Sequence, residues 1–182
     1  MIRSKTGKTE GFTLGETLAA VLIMSLAGLM IIGGLVAFMR SWQKITDKAN
    51  AEIYVSTLEI RMQDELEFAE QVDTDSSGNV KWFVDENSGY ASRFVPGTSD
   101  SLPFGIQRSE DAKDLNNAVK ETFIPEAMGN GRMYVTYDSL TYDQKTHIFT
   151  IKNLKAENTA GQILYQVDSV KIRNLNDAGA GE

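Results

Sequence analysis

The hydrophobic pattern is dominated by residues 18–39, a run of 22 positions without a formal charge. A helix over this run is roughly 33 Å long at about 1.5 Å per residue, enough to cross a hydrocarbon core of about 30 Å. Residues 1–11 before the run are polar and basic, and Arg40 follows it directly. The pattern predicts a membrane-spanning helix over residues 12–39.

A second, amphipathic pattern continues this helix to Val72. Neither glycine nor proline occurs between Arg40 and Val72, so no helix breaker separates the two patterns. Apolar residues recur at steps of three and four, which places them on one stripe of a helix. The stripe consists of Val55, Leu58, Met62, Leu66 and Ala69. Residues 40–72 are therefore predicted to form the second half of one long helix, with the stripe facing a β-sheet.

The pattern changes to β after residues 73–79, where aspartates, serines and a glycine indicate a turn. Residues 97–131 are predicted to be mostly loop with a short helix near residues 111–122, and residues 141–145 and 156–161 suit hairpin connections. Approximate alternation with β-branched residues predicts strands over residues 80–84, 90–95, 132–138, 146–154 and 162–175. The expected fold class is α+β: a long N-terminal helix packed on an antiparallel β-sheet, with residues 73–182 as a β-rich globular domain.

Charge and residue types exclude several classes of function. The chain has 18 basic and 25 acidic side chains and a formal net charge of −7. Because phosphate neutralisation needs concentrated lysine and arginine, and no basic cluster interleaved with aromatics occurs, direct nucleic-acid binding is not predicted. The lack of cysteine and the single histidine, His147, leave no thiol nucleophile, catalytic triad or histidine-rich metal site. The sequence predicts a protein that is not an enzyme and carries no cofactor.

One turn motif leaves a calcium site open as an alternative. Asp73, Asp75, Ser77 and Gly78 have the opening spacing of an EF-hand calcium loop. The twelfth position is Val84, where that loop needs a bidentate glutamate. A solvated turn that ends the helix is therefore the expected structure.

The head of the apolar run carries the most informative residues. An ordinary secretory signal places its apolar core before the cleavage site. Here the small residue Gly11 precedes the apolar run, so a cut after it would leave the whole span on the mature chain. Glu16 lies two residues before the run, where a carboxylate is costly in hydrocarbon unless a cation offsets its charge. A cut after Gly11 would create that cation, because the new α-amine of Phe12 is largely protonated near neutral pH.

The same residues suggest how copies of the chain would associate. In a parallel pack of helices with an axial offset, the α-amine of Phe12 on one copy can meet Glu16 of its neighbour. Such an ion pair in low dielectric fixes register more than it adds net stability. Apolar packing of residues 18–39 would supply most of the association.

The segment Gly11-Phe12-Thr13-Leu14-Gly15-Glu16 resembles the prepilin cleavage and methylation motif of type IV pilins and of competence and type II secretion pseudopilins. The resemblance implies that a prepilin peptidase removes residues 1–11 as a basic leader, cutting between Gly11 and Phe12. It implies further that Phe12 is N-methylated and that Glu16 pairs during filament assembly. The family fold, a long N-terminal helix whose second half packs on an antiparallel sheet, agrees with the pattern described above.

The resemblance also implies partners and shows departures. The partners are other pilin or pseudopilin subunits in a homo- or hetero-filament, the prepilin peptidase, the lipid bilayer, and a membrane assembly platform with its ATPase. Gly15 stands where the family usually has a branched aliphatic residue, and Glu10 places an acid before the cut. The family's C-terminal disulfide loop is absent. Gly33 and Gly34 lie where many pilins carry a helix-breaking proline, so local melting is expected there in a filament.

The charges around the apolar run bear on orientation. The short N-terminal arm favours a cytoplasmic N-terminus and an external C-terminal domain, although basic residues flank the run on both sides, at Arg3, Lys5 and Lys8 and at Arg40, Lys44 and Lys48. The expected location is the cytoplasmic (inner) membrane as a single-pass subunit, and a cell-surface filament after assembly. The alternative function is a single-pass membrane-anchored extracytoplasmic binding or sensor domain that keeps its N-terminus.

Overall fold

The computed structural model describes residues 13–86, 88–100, 103–124 and 131–176. The chain divides into two compact units, residues 1–45 and residues 46–182. Helix α1, Leu14–Glu67, contributes to both units and is 54 residues long. The leader, residues 1–11, and Phe12 lie outside the described residues.

Within the first unit, α1 is apolar on all sides over residues 18–39. Its side chains are exposed almost throughout, and the most hydrophobic 18-residue window has none of its residues buried. Among the described residues this is the one helix long and apolar enough to cross a membrane, and it lies near the N-terminus. The sequence prediction of a helix that can span the bilayer once is confirmed to that extent.

In the second unit, the C-terminal half of α1 buries one face. The predicted stripe is confirmed for Val55, Leu58, Met62 and Leu66, which are fully buried, whereas Ala69 is buried but lies beyond the end of α1. Ala51 and Tyr54 extend the buried face toward the start of this unit, at positions that the sequence analysis did not include. A helix that buries one side and exposes the other forms the edge of a globular core.

The predicted end of the helix at Val72 is wrong, because α1 ends at Glu67 and the chain then enters a sheet. Strand β1, Gln71–Thr74, includes Val72 and pairs with the next strand, and the Glu70 backbone N–H already donates to the Val84 carbonyl at 3.0 Å. The helix ends here without a glycine or proline, because the backbone N–H and C=O groups of this segment form hydrogen bonds with strand β2 instead of continuing the helix.

A five-stranded antiparallel sheet, sheet A, follows the helix in simple sequence order. It contains β1, β2 (Val80–Val84), β3 (Ala91–Val95), β4 (Gly105–Ser109) and β5 (Lys120–Thr122). A 3₁₀ helix at Ala112–Asn117, capped by the Asp111 side chain, lies between the last two strands. The prediction that residues 97–131 are mostly loop is therefore wrong for β4 and β5, and the short helix expected near residues 111–122 is a 3₁₀ helix of six residues.

A second antiparallel sheet, sheet B, is built around one long strand, where the sequence suggested a single sheet. It contains β6 (Met133–Thr136), β7 (Ser139–Asp143), β8 (Ile148–Asn158) and β9 (Ile163–Arg173). β9 pairs with nearly the whole of β8, while β7 and β6 pair with successive halves of it. The hairpin connection expected at residues 141–145 begins later, because Thr141, Tyr142 and Asp143 belong to β7.

A left-handed residue inside β8 allows side chains from both halves of that strand to face the core. Asn153 has a φ of 52° and breaks the alternation, so that Ile151 and Leu154 are both fully buried. Its side-chain amide donates to the Asp138 carboxylate at 2.6 Å, in the link between β6 and β7. Asparagine tolerates the left-handed region better than most residues, which suits it to this position.

Aromatic rings from sheet A and the following segments fill the centre of the core. The Phe94 ring centroid lies 5.2 Å from Phe83, 5.4 Å from Phe123 and 6.0 Å from Phe104. Residues of α1 and of both sheets belong to the same buried cluster. The fold class is α+β, with the second half of the long helix packed against antiparallel sheets.

An ion pair links α1 to sheet A, and we expect its removal to destabilise the fold. The Arg108 guanidinium on β4 donates to the Glu65 carboxylate on α1, and both side chains are mostly shielded from solvent. Burial raises the pKa of Glu65, while the Arg108 charge opposes that rise. Arg108→Met leaves a buried carboxylate without its cation, which we expect to lower the free energy of unfolding by about 2 kcal/mol after allowance for partial exposure.

The loss should depend on pH. Without Arg108 the pKa of Glu65 rises further, so the folded chain holds this proton more tightly than the unfolded chain. Stability of the variant should therefore fall as pH rises above about 4.3 and recover below it. Urea unfolding of residues 46–182 measures this, with Lys81→Met as the control, since the exposed Lys81–Asp73 pair should contribute less than about 0.5 kcal/mol. Equal effects of the two substitutions would contradict the prediction.

The segment after β9 closes the C-terminal end of α1. The Leu175 N–H donates to the Glu67 carbonyl at 2.7 Å, and the buried Asn174 amide donates to the Ala69 carbonyl at 2.8 Å. The exposed Asn176 amide makes the matching bond to the Phe68 carbonyl, also at 2.8 Å. Carbonyls at a helix end have no intrahelical partner, so these bonds take the place of a glycine cap.

The two asparagines provide a matched pair for a stability test. Asn174→Ala should cost about 2 kcal/mol, because it leaves a buried carbonyl without its donor. Asn176→Ala should cost less than about 0.5 kcal/mol, since water can replace an exposed donor. Chemical unfolding of the two variants of residues 46–182 makes the comparison. A cost for Asn174→Ala as small as that for Asn176→Ala would show that the cap does not contribute.

Candidate assembly site at the head of the helix

Of the residues that the sequence marks as a cleavage and assembly site, the structure describes one. Gly11 and Phe12, the predicted cleavage site and methylated residue, lie outside the described residues. Glu16 lies in the first turn of α1 and is exposed. Its surroundings are therefore the part of the candidate site whose geometry is known.

Glu16 forms a capping box with Thr13. Its Oε2 accepts from the Thr13 N–H at 2.9 Å and from the Thr13 hydroxyl at 3.0 Å. In return, the Thr13 hydroxyl oxygen accepts from the Glu16 N–H at 3.3 Å. Because the first N–H groups of a helix lack intrahelical acceptors, this reciprocal pair fixes the start of α1 at Leu14.

Sequence reasoning overlooked this role, although its signal is present. Thr13-Leu14-Gly15-Glu16 has the Thr-x-x-Glu spacing of a capping box placed before an apolar run. The carboxylate at this position therefore has a local structural explanation that needs no partner. Both described donors bind Oε2, and Oε1 accepts no hydrogen bond from the described residues. A cation can therefore reach Glu16 without breaking the cap.

The helix that follows Glu16 presents apolar side chains to its surroundings on every side. Met24 is 77% exposed, Met30 76% and Ile31 71%. At Gly28, Gly33 and Gly34 an added Cβ would meet no atom within 4 Å. No internal packing within the described chain thus requires these small residues.

The remaining sequence motifs have structural roles. The Asp75 carboxylate accepts from the side-chain amide and backbone N–H of Asn79, both at 2.9 Å, and from the Ser77 N–H, and the Asn79 bonds hold the pKa of Asp75 below its usual range. This turn joins β1 to β2, so the expectation that it ends the helix is wrong.

No group of three or more His, Asp or Glu side chains within the described ranges is arranged to hold a metal ion.

The single histidine is part of the second unit. His147 is half-buried with a φ of 54°, and its Nδ1 lies 3.3 Å from the Tyr142 hydroxyl. Its backbone carbonyl accepts from the Asn174 N–H at 2.8 Å. These contacts place His147 in the turn between β7 and β8, as a residue of the fold.

Comparison with protein-family models, curated proteins and solved structures finds no match to this chain. Function is therefore inferred from the residues at the head of α1 and from the exposed apolar surface behind them. The first include the segment that resembles a prepilin cleavage motif, together with the Glu16 carboxylate. The second consists of apolar side chains that the described chain leaves exposed.

Proposed function

We propose that this chain is the precursor of a type IV pilin or pseudopilin. It is a non-enzymatic subunit that is cut after Gly11 and polymerises through the apolar half of α1. The observation that carries the proposal is the position of Glu16, an exposed carboxylate in the first turn of an exposed apolar helix, four residues after Phe12. The α+β unit that follows, with the second half of α1 packed on antiparallel sheets, is the kind of globular domain expected of such a subunit.

Electrostatics at the start of α1 support pairing between copies. A cut after Gly11 puts a protonated α-amine on Phe12, directly before the helix cap at Thr13. The N-terminus of a helix already carries a partial positive charge, so the added amine is unfavourable there and gains from a carboxylate. In every copy Oε2 of Glu16 is engaged with the cap, while Oε1 accepts no hydrogen bond from the described residues, so Oε1 of a neighbour's Glu16 offers an acceptor for the amine. Pairing along the filament would satisfy both charges and fix the axial offset.

The apolar surface of α1 supplies the association energy in this proposal. The subunit waits in the cytoplasmic membrane with residues 18–39 in lipid, its N-terminus inside and its globular unit outside. An assembly platform driven by its ATPase moves processed subunits into the filament, where neighbouring helices replace the lipid. Residues 33–34 belong to an unbroken helix in the single chain, and local melting there in the filament stays a prediction.

The capping box favours a second candidate function. Because Thr13 and Glu16 start the helix without any partner, the same residues suit a plain single-pass anchor for an extracytoplasmic binding or sensor domain. That candidate keeps residues 1–11 and needs no peptidase. It leaves unexplained why Gly11-Phe12 stands in front of the cap and why a charged Glu is used where Gln would also cap.

Mass spectrometry of the protein purified from its native membrane distinguishes the two functions. The pilin proposal requires a chain that begins at N-methylated Phe12. A chain that retains Met1 and the leader would overturn it and support the anchored domain. Electron microscopy of sheared cell-surface material, labelled with antibody against residues 46–182, then tests whether the processed chain forms a filament.

A further inference from the structure

The C-terminal end of the apolar run carries an exposed aromatic pair. Phe38 and Trp42 stack on each other one helical turn apart, with ring centroids 6.2 Å apart and planes 28° from parallel. Both side chains are 63% exposed, so the pair is not part of any core within the first unit. Tryptophan next to an apolar span is typical of the level at which a bilayer changes from hydrocarbon to headgroups.

Two cations lie at the same level of the helix. Arg40 and Lys44 are exposed and also one turn apart. At about 100° per residue, they lie on roughly the opposite side of α1 from the aromatic pair. Neither makes an ion pair within the described ranges, and the chain has no acidic residue between Glu16 and Asp47. The net charge at this level of the first unit is therefore positive.

We propose that Phe38, Arg40, Trp42 and Lys44, here called the collar, bind the headgroups of anionic phospholipids in the leaflet at the C-terminal end of the span. The inference rests on the membrane insertion of residues 18–39 in the proposed function. The aromatic rings lie at the glycerol level, while the arginine and lysine stems extend along the helix and bring their charges to the phosphates. Each cation near an anionic surface strengthens the attraction to it.

The distribution of the collar around the helix favours lipid over a protein partner. A docked protein covers one face of a helix, whereas a shell of lipids contacts all of them. Within about 9 Å along the helix, the collar presents aromatic groups on one side and cations on the other, which matches a shell of amphiphiles with negatively charged headgroups. Arg40 lies 24 residues after Glu16, which is about 36 Å along the helix. This distance exceeds a hydrocarbon core of about 30 Å by a few ångströms, so with Glu16 at one interface the collar lies at the other.

Fluorescence quenching of Trp42 by brominated lipids tests the proposal on the full chain. The chain has two tryptophans, so a Trp82→Phe background leaves Trp42 as the reporter, and quenching by a lipid requires that it touch the ring. The protein is placed in phosphatidylcholine vesicles that contain either brominated phosphatidylglycerol or brominated phosphatidylcholine at equal fractions. We expect brominated phosphatidylglycerol to associate roughly tenfold more strongly, as two cations allow.

Two double variants in the Trp82→Phe background test whether the preference for phosphatidylglycerol depends on the collar cations. Arg40→Gln with Lys44→Gln should reduce it to about twofold or less. Lys152→Gln with Lys171→Gln removes the same charge from exposed positions of sheet B and should leave it unchanged. Equal quenching by both lipids in the parent chain, or an unchanged preference without Arg40 and Lys44, overturns the collar proposal and leaves membrane insertion intact. Absence of quenching by either lipid overturns membrane insertion and the collar together.

Discussion

Gly11→Leu is expected to leave the chain as full-length precursor in the membrane, with no filament. A peptidase that cuts between Gly11 and Phe12 must hold the residue before the cut in its site, and by resemblance to prepilins that residue is small. A leucine adds a bulky branched side chain at that point while leaving the span, the cap and Glu16 unchanged. The measurement is the intact mass of the protein from the native membrane, together with electron microscopy of cell-surface material.

Gly15→Ala is the matched control for this substitution. It also enlarges a glycine at the head of the span, but an added Cβ there would meet no atom within 4 Å. The variant should be cut normally, and its helix should gain about 1 kcal/mol because alanine is the better helix former. A Gly11→Leu protein that begins at Phe12 would contradict the cleavage proposal, and a Gly15→Ala protein that stays uncut would show that the whole segment is sensitive to size.

Glu16→Gln is expected to be inserted and cut, yet to form no filament when it is the only copy of the subunit. Glutamine has the same shape and can still accept from the Thr13 N–H and hydroxyl, so the capping box persists. What disappears is the negative charge that, in the proposed assembly, meets the α-amine of the neighbouring Phe12. Glu16→Val, which removes cap and charge together, should fail in the same way. Filament yield and N-terminal mass, measured on the same membranes, separate processing from assembly.

Thr13→Val provides the reciprocal control. It removes the hydroxyl side of the capping box and keeps the carboxylate, so the start of α1 should lose about 1 kcal/mol while filaments still form. Normal filaments from Glu16→Gln would show that Glu16 acts only as a cap, and the pairing hypothesis would then fail. Loss of filaments in Thr13→Val but not in Glu16→Gln would lead to the same conclusion.

The helix was predictable over most of its length because its signals are local. A charge-free run of 22 residues and an apolar stripe at helical spacing are both properties of consecutive residues, and both appear in α1. The stripe from Val55 to Leu66 is buried as expected. The end at Glu67 was not predictable from the stripe, since Ala69 and Val72 continue the apolar spacing into a segment that pairs as β1.

The strands also divide into those with a local sequence signal and those that form only because distant strands pair with them. β2, β3, β8 and β9 have β-branched or aromatic residues in near alternation, and the sequence located each of them. β4 and β5 consist largely of polar or small residues and become strands because neighbouring strands supply their partners. Asn153 reverses the alternation of β8 by adopting a left-handed conformation, and its bond to Asp138 comes from a distant part of the chain.

The candidate site at the head of α1 has local sequence signals. Glu16 could be singled out from sequence because a carboxylate beside an apolar run is unusual in any fold, and the Thr-x-x-Glu spacing that explains its cap is equally local. Span, cap and buried stripe are therefore encoded in neighbouring residues, whose spacing alone sets which side of a helix they share. The end of α1, the division into two sheets and the Glu65–Arg108 pair depend on backbone and side-chain partners far away in the chain, which are brought together only when the core forms.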